Sequence, residues 1–446
     1  MAHASSSRAV AADHLLAADE SDAAQYLKRP QAEYDPLSER REQFLLKERS
    51  YQQQYANVYF QRLNRLKAPA AAEAKRRWSK QHGIQNVLPR ILDVQTGQLC
   101  CVVGTVYVDM KLKPNVLEDV AREHKVTAPP PREKYYADDD ATLLEDESGR
   151  IVLSSDNIRA HHLVSGVVAA VLGRENSSGE FVVKDVCFPN LPPQPARPVS
   201  SGGRKYLALV SGVQIGAGHM DVLRTQLLAQ YLRGELGSLL DQEEEADIVR
   251  VIFAGNTFSP LEVETDTRHS RRGGRNAPAT ASTEPTAAQH ADAFLLDVCS
   301  SLDVDLMPGE LDPATHALPQ QPILPMLLPH SSQCSSLNTV TNPYWGNIAG
   351  NVVLGNSGQS LDDLIKYVDT EDRCYPFQDR EPFIIDECPS IYFIGNQPRL
   401  ETTLVQGPDG QQTRMILLPS FAQTGVLALV DLATLDCQSV TLDAAF

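Results

Sequence analysis

Few of the residue patterns that carry chemistry are complete in this chain of 446 residues. Gly216-Ala217-Gly218 follows a candidate strand and opens a candidate helix, as a dinucleotide-binding loop would. The third glycine of that pattern is replaced by Asp221, whose charge would face a pyrophosphate, so a tight strand-to-helix turn is the better reading. Neither a GxxxxGK phosphate loop nor a GxSxG nucleophile turn occurs. The eight cysteines contain no CxxC pair, which argues against zinc ribbons and thioredoxin chemistry, and Cys100-Cys101 lies inside an apolar strand and reads as core. Asn176-Ser177-Ser178 is a formal glycosylation sequon, without meaning in the absence of a secretion signal. The last histidine is His330 and no Gly-Asp dipeptide exists, so nothing beyond residue 330 offers an imidazole. Glu310 and Asp312 remain, two carboxylates at a candidate strand end. They could hold a magnesium ion weakly, but solvated loop carboxylates are the simpler reading.

Positioning such residues takes elements, and the periodicities supply them. From Phe44 to Leu66, apolar and aromatic residues recur at three- and four-residue steps, which predicts an amphipathic helix ending before Pro69, with a second stretch over Ala70–Gln81. Strands follow over Gln98–Met110, Thr142–Leu153 (turning at Ser148-Gly149), Leu163–Leu172 and Phe181–Phe188, with one helical excursion over Asn115–His124. Such a run fits a small closed barrel of the OB type. Pro189–Pro198 and Ser200–Gly203 read as a linker. Strand and helix then alternate: Tyr206–Val210, Asp221–Leu232, Ile248–Ala254 and Thr286–Leu302. The expected class is therefore α/β (α+β overall), a barrel followed by a layered domain with functional loops at its strand ends. The expected domains are a mobile tail over 1–40, a helix plus OB barrel over 41–190, a linker over 191–203 and the layered domain over 204–446. A Gly-, Ala-, Ser- and Thr-rich stretch between Pro260 and Pro285, bearing Arg268, Arg271, Arg272 and Arg275, is expected to leave that domain as a disordered excursion.

Composition narrows the function. Apolar residues at 42% and charged residues at 22% are ordinary for globular chains. Residues 1–199 hold 26 basic and 26 acidic side chains, whereas residues 200–446 hold 14 and 31, so the whole net charge of -17 lies in the second half. That half should repel a polyphosphate backbone, since nucleic-acid affinity is largely counterion release by clustered cations. Met1–Glu20 lacks the basic start and apolar core of a signal peptide. The longest clean apolar run, Leu163–Gly173, is about half of the ~20 residues that span a bilayer, so no membrane role is expected.

The strand-end loops of the second half resemble those of calcineurin-like metallophosphoesterases. Such domains gather Asp-x-His, Gly-Asp-x-x-Asp, Gly-Asn-His-Asp/Glu, a lone His and Gly-His-x-His around two metals, where hard carboxylates and neutral imidazoles clamp phosphate and activate water. Here Gly212 and Gln214 stand at the Asp and His of the first motif. Asn256 and Ser259 replace both carboxylates of the second, and Gly309-Glu310-Leu311-Asp312 puts Leu311 at the histidine of the third. Ser357 takes the place of the lone His, and Asn396 and Pro398 those of the last two imidazoles. The resemblance thus implies a retained fold without catalytic residues, resident metal or cofactor.

A degenerate site behind an OB-like barrel resembles the small (B) subunits of replicative DNA polymerases, those of DNA polymerase delta in particular. The words that carry this are Met307-Pro308-Gly309-Glu310-Leu311-Asp312-Pro313, Leu318-Pro319-Gln320-Gln321-Pro322, Val340-Thr341-Asn342-Pro343-Tyr344, Leu354-Gly355-Asn356-Ser357-Gly358-Gln359, Cys374-Tyr375-Pro376-Phe377 and Tyr392 to Pro398. The N-terminal half adds Glu48-Arg49-Ser50-Tyr51, Gln54-Tyr55 and Val102-Val103-Gly104-Thr105. The family carries a longer connection where only Tyr367–Arg373 stands here, which puts any partner contact made there in doubt. The resemblance implies a non-catalytic nuclear scaffold for DNA replication and repair synthesis. Its partners would be the C-terminal metal-binding domain of the catalytic subunit and an extended third subunit, with DNA met only indirectly. Two other readings compete: a working phosphoesterase or nuclease with unusual ligands, and a single-strand binder using Tyr107, Phe181 and Phe188 with Lys111, Lys113 and Lys184 on the barrel.

Overall fold

A computed structural model describes residues 7–10, 28–47, 56–113, 132–155, 161–197, 203–216, 222–259, 286–367, 374–377 and 380–443. The expected helix at Asn115–His124, the excursion at 260–285 with its arginines, residues 217–221, residues 198–202 of the linker, residues 368–373 of the short connection and most of the tail lie outside these. The chain divides into two units, one over residues 48–193 and 359–386, the other over 1–47, 194–358 and 387–446. In chain order the larger unit begins with β1 (Ser7–Val10), β2 (Tyr34–Asp35) and α1 (Ser38–Phe44).

In the smaller unit, α2 (Ala56–His82) precedes a closed barrel of β3 (Cys100–Asp109), β4 (Ala141–Asp146), β5 (Gly149–Ser154), β6 (Val168–Glu175) and β7 (Glu180–Cys187), ordered β3-β4-β5-β7-β6. The alternation that predicted these strands sends Val102, Leu144, Ile151, Val171 and Phe181 into the barrel's core. On the outside, Cys101, Val103, Ala170, Leu172 and Cys187 meet Leu63, Ala70, Ala74 and Trp78 of α2. That second core corrects the expected break at Pro69. The helix runs straight through it, with Pro69 in its interior. A proline removes one backbone hydrogen bond and crowds the preceding turn, at ~3 kcal/mol. Four side chains buried along the same stripe on both sides of residue 69 offset that loss. Burial pushes the Cys101 and Cys187 thiols up to about 12, as befits small core residues.

The larger unit continues with β8 (Tyr206–Val210), α3 (Val222–Arg233), α4 (Leu239–Ala246), β9 (Ile248–Ala254), α5 (Ala287–Cys299), β10 (Asp303–Met307), β11 (Leu337–Thr339), β12 (Tyr344–Ile348) and β13 (Asn351–Asn356). Helix α6 (Gln359–Tyr367) returns to the smaller unit, and β14 (Ile391–Gln397), β15 (Glu401–Gln406), β16 (Gln412–Pro419), α7 (Phe421–Thr424), β17 (Val426–Asp431) and β18 (Cys437–Leu442) complete the larger one. Two sheets result, ordered β1-β18-β17-β8-β9-β10-β11 and β15-β16-β14-β13-β12-β2. Leu207, Leu209, Ile252, Met307 and Val430 of the first pack on Tyr344, Val353, Phe393 and Ile416 of the second. The outer face of the first sheet, Val210, Val251, Phe253 and Leu306, is covered by Leu227 and Leu228 of α3 and Phe294 and Leu295 of α5. Every residue of β9 is therefore buried, which is why Ile248–Ala254 is a continuous apolar run interrupted only by Arg250.

Residues 28–40, the end of the stretch read as a mobile tail, are built into this unit, as are residues 41–47, expected with the barrel. Arg29 donates to the carbonyls of Glu245 (3.0 Å) and Ile248 (2.8 Å) and, through Nη2, to that of Leu232. One guanidinium thereby satisfies carbonyls at the C-terminal ends of α3 and α4, groups a helix leaves unpaired. Tyr34 and Asp35 then pair with Ile348 and Asn347 along the edge of β12. Aliphatic periodicity is absent here, because the attachment is made largely by polar contacts, among them Lys205 Nζ to the Gln31 carbonyl at 2.8 Å and Arg40 to Glu387 at 3.1 Å.

Candidate functional site in the strand-end loops

The loops after β8, β9, β10 and β13 and the end of β14 converge at one end of the larger unit, and their backbones bond directly to one another. Gly212 N–H donates to the Gly255 carbonyl (2.9 Å) and Gln214 N–H to that of Asn256 (3.0 Å). Ser259 N–H, itself buried, donates to the Ile215 carbonyl (3.0 Å). Asn256 Oδ1 accepts from Leu311 N–H at 2.9 Å. At the end of the second sheet Asn396 Nδ2 donates to the Ser357 carbonyl (2.9 Å), and across to the first sheet Asn396 N–H donates to Ser211 Oγ (3.0 Å). The Ser357 hydroxyl, where the resemblance places a lone histidine, is held by Asn342 Nδ2 at 2.8 Å, and the same amide nitrogen reaches Gln320 Oε1 at 2.8 Å.

The expected positions are thus brought together, with two exceptions. Glu310 and Pro398 face solvent. Asp312, two residues beyond Glu310, points the other way and is buried. Its Oδ1 accepts from Phe258 N–H (2.8 Å) and its Oδ2 from Gly309 N–H (2.7 Å), so it staples the loop after β9 to the loop after β10. Solvated carboxylate, the simpler reading of the sequence, therefore holds for Glu310 but not for Asp312. Among the described residues, no group of three or more His, Cys, Asp and Glu is arranged to hold a metal.

Close approach explains the glycines. Gly212 adopts φ +63°, and a Cβ there would lie 2.7 Å from both Asn396 Oδ1 and Ser420 Oγ. Gly255, at φ +86°, would drive a Cβ into Ser357 and to 2.9 Å from the Gly309 Cα. Gln214, Asn256 and Asn396 also hold positive φ, at 52°, 55° and 55°. Three of the seven described non-glycine residues with positive φ thus stand in these loops. Asn396 Oδ1 and Thr257 Oγ1 are buried there without a protein partner. Both are neutral oxygens, and neither brings the charge that a divalent ion seeks. Ser211, Gln320, Asn342 and Ser420 are the members of this network that sequence reasoning missed. Asn342 and Gln320 fall inside words quoted for the resemblance, but nothing in their type signals an inward-facing amide.

Asp312 gives the site a pH signature. Burial pushes its carboxyl up to about 6, against the backbone N–H bonds that favour the anion. A carboxyl raised above its unfolded value lends the fold stability that is complete below pH ~4 and lost as pH rises through ~6. Urea unfolding at pH 5 and pH 7.5 should show the wild type losing about 1–1.5 kcal/mol more over that interval than Asp312→Asn, which cannot ionise. Equal losses would refute the assignment.

On the barrel, Phe181 is core. Tyr107 and Phe188 are partly exposed, but Tyr107 already carries Arg150 over its ring at 5.7 Å. Lys111 is paired with Asp139, and Lys184 Nζ lies 3.3 Å from His82 Nδ1. The aromatic platform proposed for a single strand is reduced to two separate side chains.

Comparison with known proteins agrees with both units. The family of DNA polymerase delta subunit OB-fold domains matches residues 54–186, and the family of B subunits of DNA polymerases alpha and epsilon matches residues 207–373. The DNA polymerase delta small subunit of Arabidopsis thaliana is 36% identical over 446 aligned residues, covering 95% of this chain and 98% of that protein. The corresponding subunit of Saccharomyces cerevisiae is 31% identical, over 90% and 92%. DNA polymerase delta subunit 2 of Drosophila melanogaster is 32% identical, over 89% and 95%. With both halves matched and identity above 30% along nearly its whole length, the chain belongs to the family of DNA polymerase delta small subunits.

Proposed function

We propose that the chain is a non-catalytic scaffold of DNA polymerase delta, acting in the nucleus in replication and repair synthesis. It bridges the C-terminal metal-binding domain of the catalytic subunit and an extended third subunit. The observation that carries the absence of catalysis is the mutual closure of the strand-end loops. A two-metal phosphoesterase needs a polar cavity in which carboxylates and imidazoles converge on ions ~3.5–4 Å apart. At this place the donors and acceptors are amides and hydroxyls committed to each other, the buried carboxylate is held by backbone N–H groups, and the other faces solvent. A scaffold keeps such a fold for rigidity and spends its surface on partners. Any metal in the contact with the catalytic polypeptide is held by that partner, since the cysteines of this chain lack ligand spacing.

Two measurements test this. The purified protein, incubated with manganese or zinc and dialysed, should retain no stoichiometric metal and turn over no phosphodiester; bound metal with turnover would overthrow the reading. Co-expressed with the tail of the catalytic subunit, it should elute as one complex on size exclusion at moderate salt. Separate elution would count against the bridging role.

A further inference from the structure

The smaller unit carries a groove of about 340 Å³ that none of the foregoing uses. Ala56, Tyr59, Phe60 and Leu63 of α2 form one wall, Thr105, Val106 and Tyr107 of β3 the floor, and Glu145, Asp146 and Glu147 the other wall. Phe60 is 54% exposed, although it stands on the same helix as the buried Leu63. Tyr107 is 38% exposed on the barrel. The Tyr59 hydroxyl is buried and has no hydrogen-bond partner, a cost of ~1–3 kcal/mol that an incoming polar group would relieve. Among the described residues no lysine or arginine belongs to the lining, although Arg150 lies over the Tyr107 ring at 5.7 Å. Glu145 and Glu147 are paired with Arg150 at 2.7 Å and Lys67 at 3.1 Å, in partly exposed pairs that are worth ~1 kcal/mol or less and exchange readily. The oxygens of Asp146 accept from the N–H groups of Ile91, Ser148 and Gly149, an arrangement that keeps it ionised and leaves its charge unmatched by any of these cations.

We infer that this groove seats an extended, proline-rich segment of a partner protein, its rings and aliphatic side chains against Tyr59, Phe60 and Tyr107 and a basic residue against the Glu145–Glu147 wall. Aromatic-lined grooves accept polyproline II segments because that conformation is rigid before binding and exposes its carbonyls, one of which would take the Tyr59 hydroxyl. The acidic wall selects arginine or lysine and rejects a phosphate backbone. The inference goes beyond the scaffold reading and does not depend on which polymerase subunits the chain holds.

Fluorescence anisotropy of the full-length protein with a labelled ten-residue proline-rich peptide bearing two arginines tests it. Saturable binding is expected, weakened at least tenfold by Phe60→Ala and by Tyr107→Ala. Both are exposed positions whose circular dichroism should be unchanged. Binding should weaken equally when the arginines of the peptide become glutamates. Absence of saturation, or a curve that neither variant moves, would overturn the inference. So would equal binding by a basic helical peptide without proline. Self-association of the protein that Phe60→Ala abolishes would also overturn it, because the groove would then belong to a second copy.

Discussion

Replacing Arg250 by alanine should destabilise the larger unit by about 3–5 kcal/mol, the loss that follows from breaking a buried ion pair by removing one partner. Arg250 stands in the middle of β9, 4% exposed, and donates to Asp305 Oδ1 (2.8 Å) on the neighbouring strand β10 and to Asp303 Oδ2 (3.1 Å). Asp305 is fully buried and also accepts from the Tyr344 hydroxyl (2.9 Å) and Asn338 Nδ2 (3.2 Å). Burial pushes the Asp305 carboxyl upward, and the guanidinium is the largest influence opposing that push. Without Arg250, a buried anion stays behind with only neutral donors, which is the costly half of breaking an ion pair. Asp303, half exposed, adds little. The Tyr34 ring lies 3.7 Å beneath the same guanidinium, so the N-terminal segment should loosen too. Urea unfolding measures the first effect and limited proteolysis within residues 28–47 the second. The double variant Arg250→Met with Asp305→Leu should cost clearly less than the two single changes summed, because each single change strands the partner. Additive losses would mean that the pair is not coupled.

The example of Arg250 shows where the sequence is readable and where it is not. Apolar periodicity reports faces, so the barrel strands and the buried β9 were legible, as was the start of α5, where Thr286 and Gln289 form a reciprocal cap. What periodicity does not report is a polar group spent inside. Arg250 looks like a break in an apolar run, Arg29 like part of a charged tail, and Asp312 like a loop carboxylate beside Glu310. Each instead satisfies buried groups far away in the chain, and local pattern carries no trace of a partner more than fifty residues distant. Pro69 misled in the opposite sense. A local rule was followed, and tertiary packing of α2 on the barrel overrode it. At the strand-end loops, residue types could be read one by one, because glycine and glutamine offer a metal neither a carboxylate nor an imidazole. That neighbouring loops fill the space between them could not, since it depends on distances between five separate segments.

That filling leads to the second large effect. Restoring the first motif by Gly212→Asp together with Gln214→His should not restore a metal site; it should cost about 2–5 kcal/mol. A side chain at position 212 must adopt φ +63°, at ~1–2 kcal/mol for an L-residue, and overpacking a closed core adds ~1–3 kcal/mol. Its Cβ would meet Asn396 Oδ1 and Ser420 Oγ at 2.7 Å and the Ser420 Cα at 3.0 Å. None of these can retreat freely. Ser420 Oγ donates to the Gly212 carbonyl (3.1 Å), Ala422 N–H donates to that carbonyl as well (3.0 Å), and Asn396 is tied to Ser211 and Ser357. Gly212→Ala is the control, since it brings the same Cβ without the carboxylate and should lose a comparable amount. A restored site would bind the folded state alone and raise the melting temperature with metal concentration. Melting each variant with and without manganese separates the two accounts. A melting temperature independent of manganese and lowered alike by Asp and Ala is the result expected from loops that have closed on one another. A manganese-dependent rise in the Asp/His variant would show instead that the cleft still opens to metal and that only its ligands were lost.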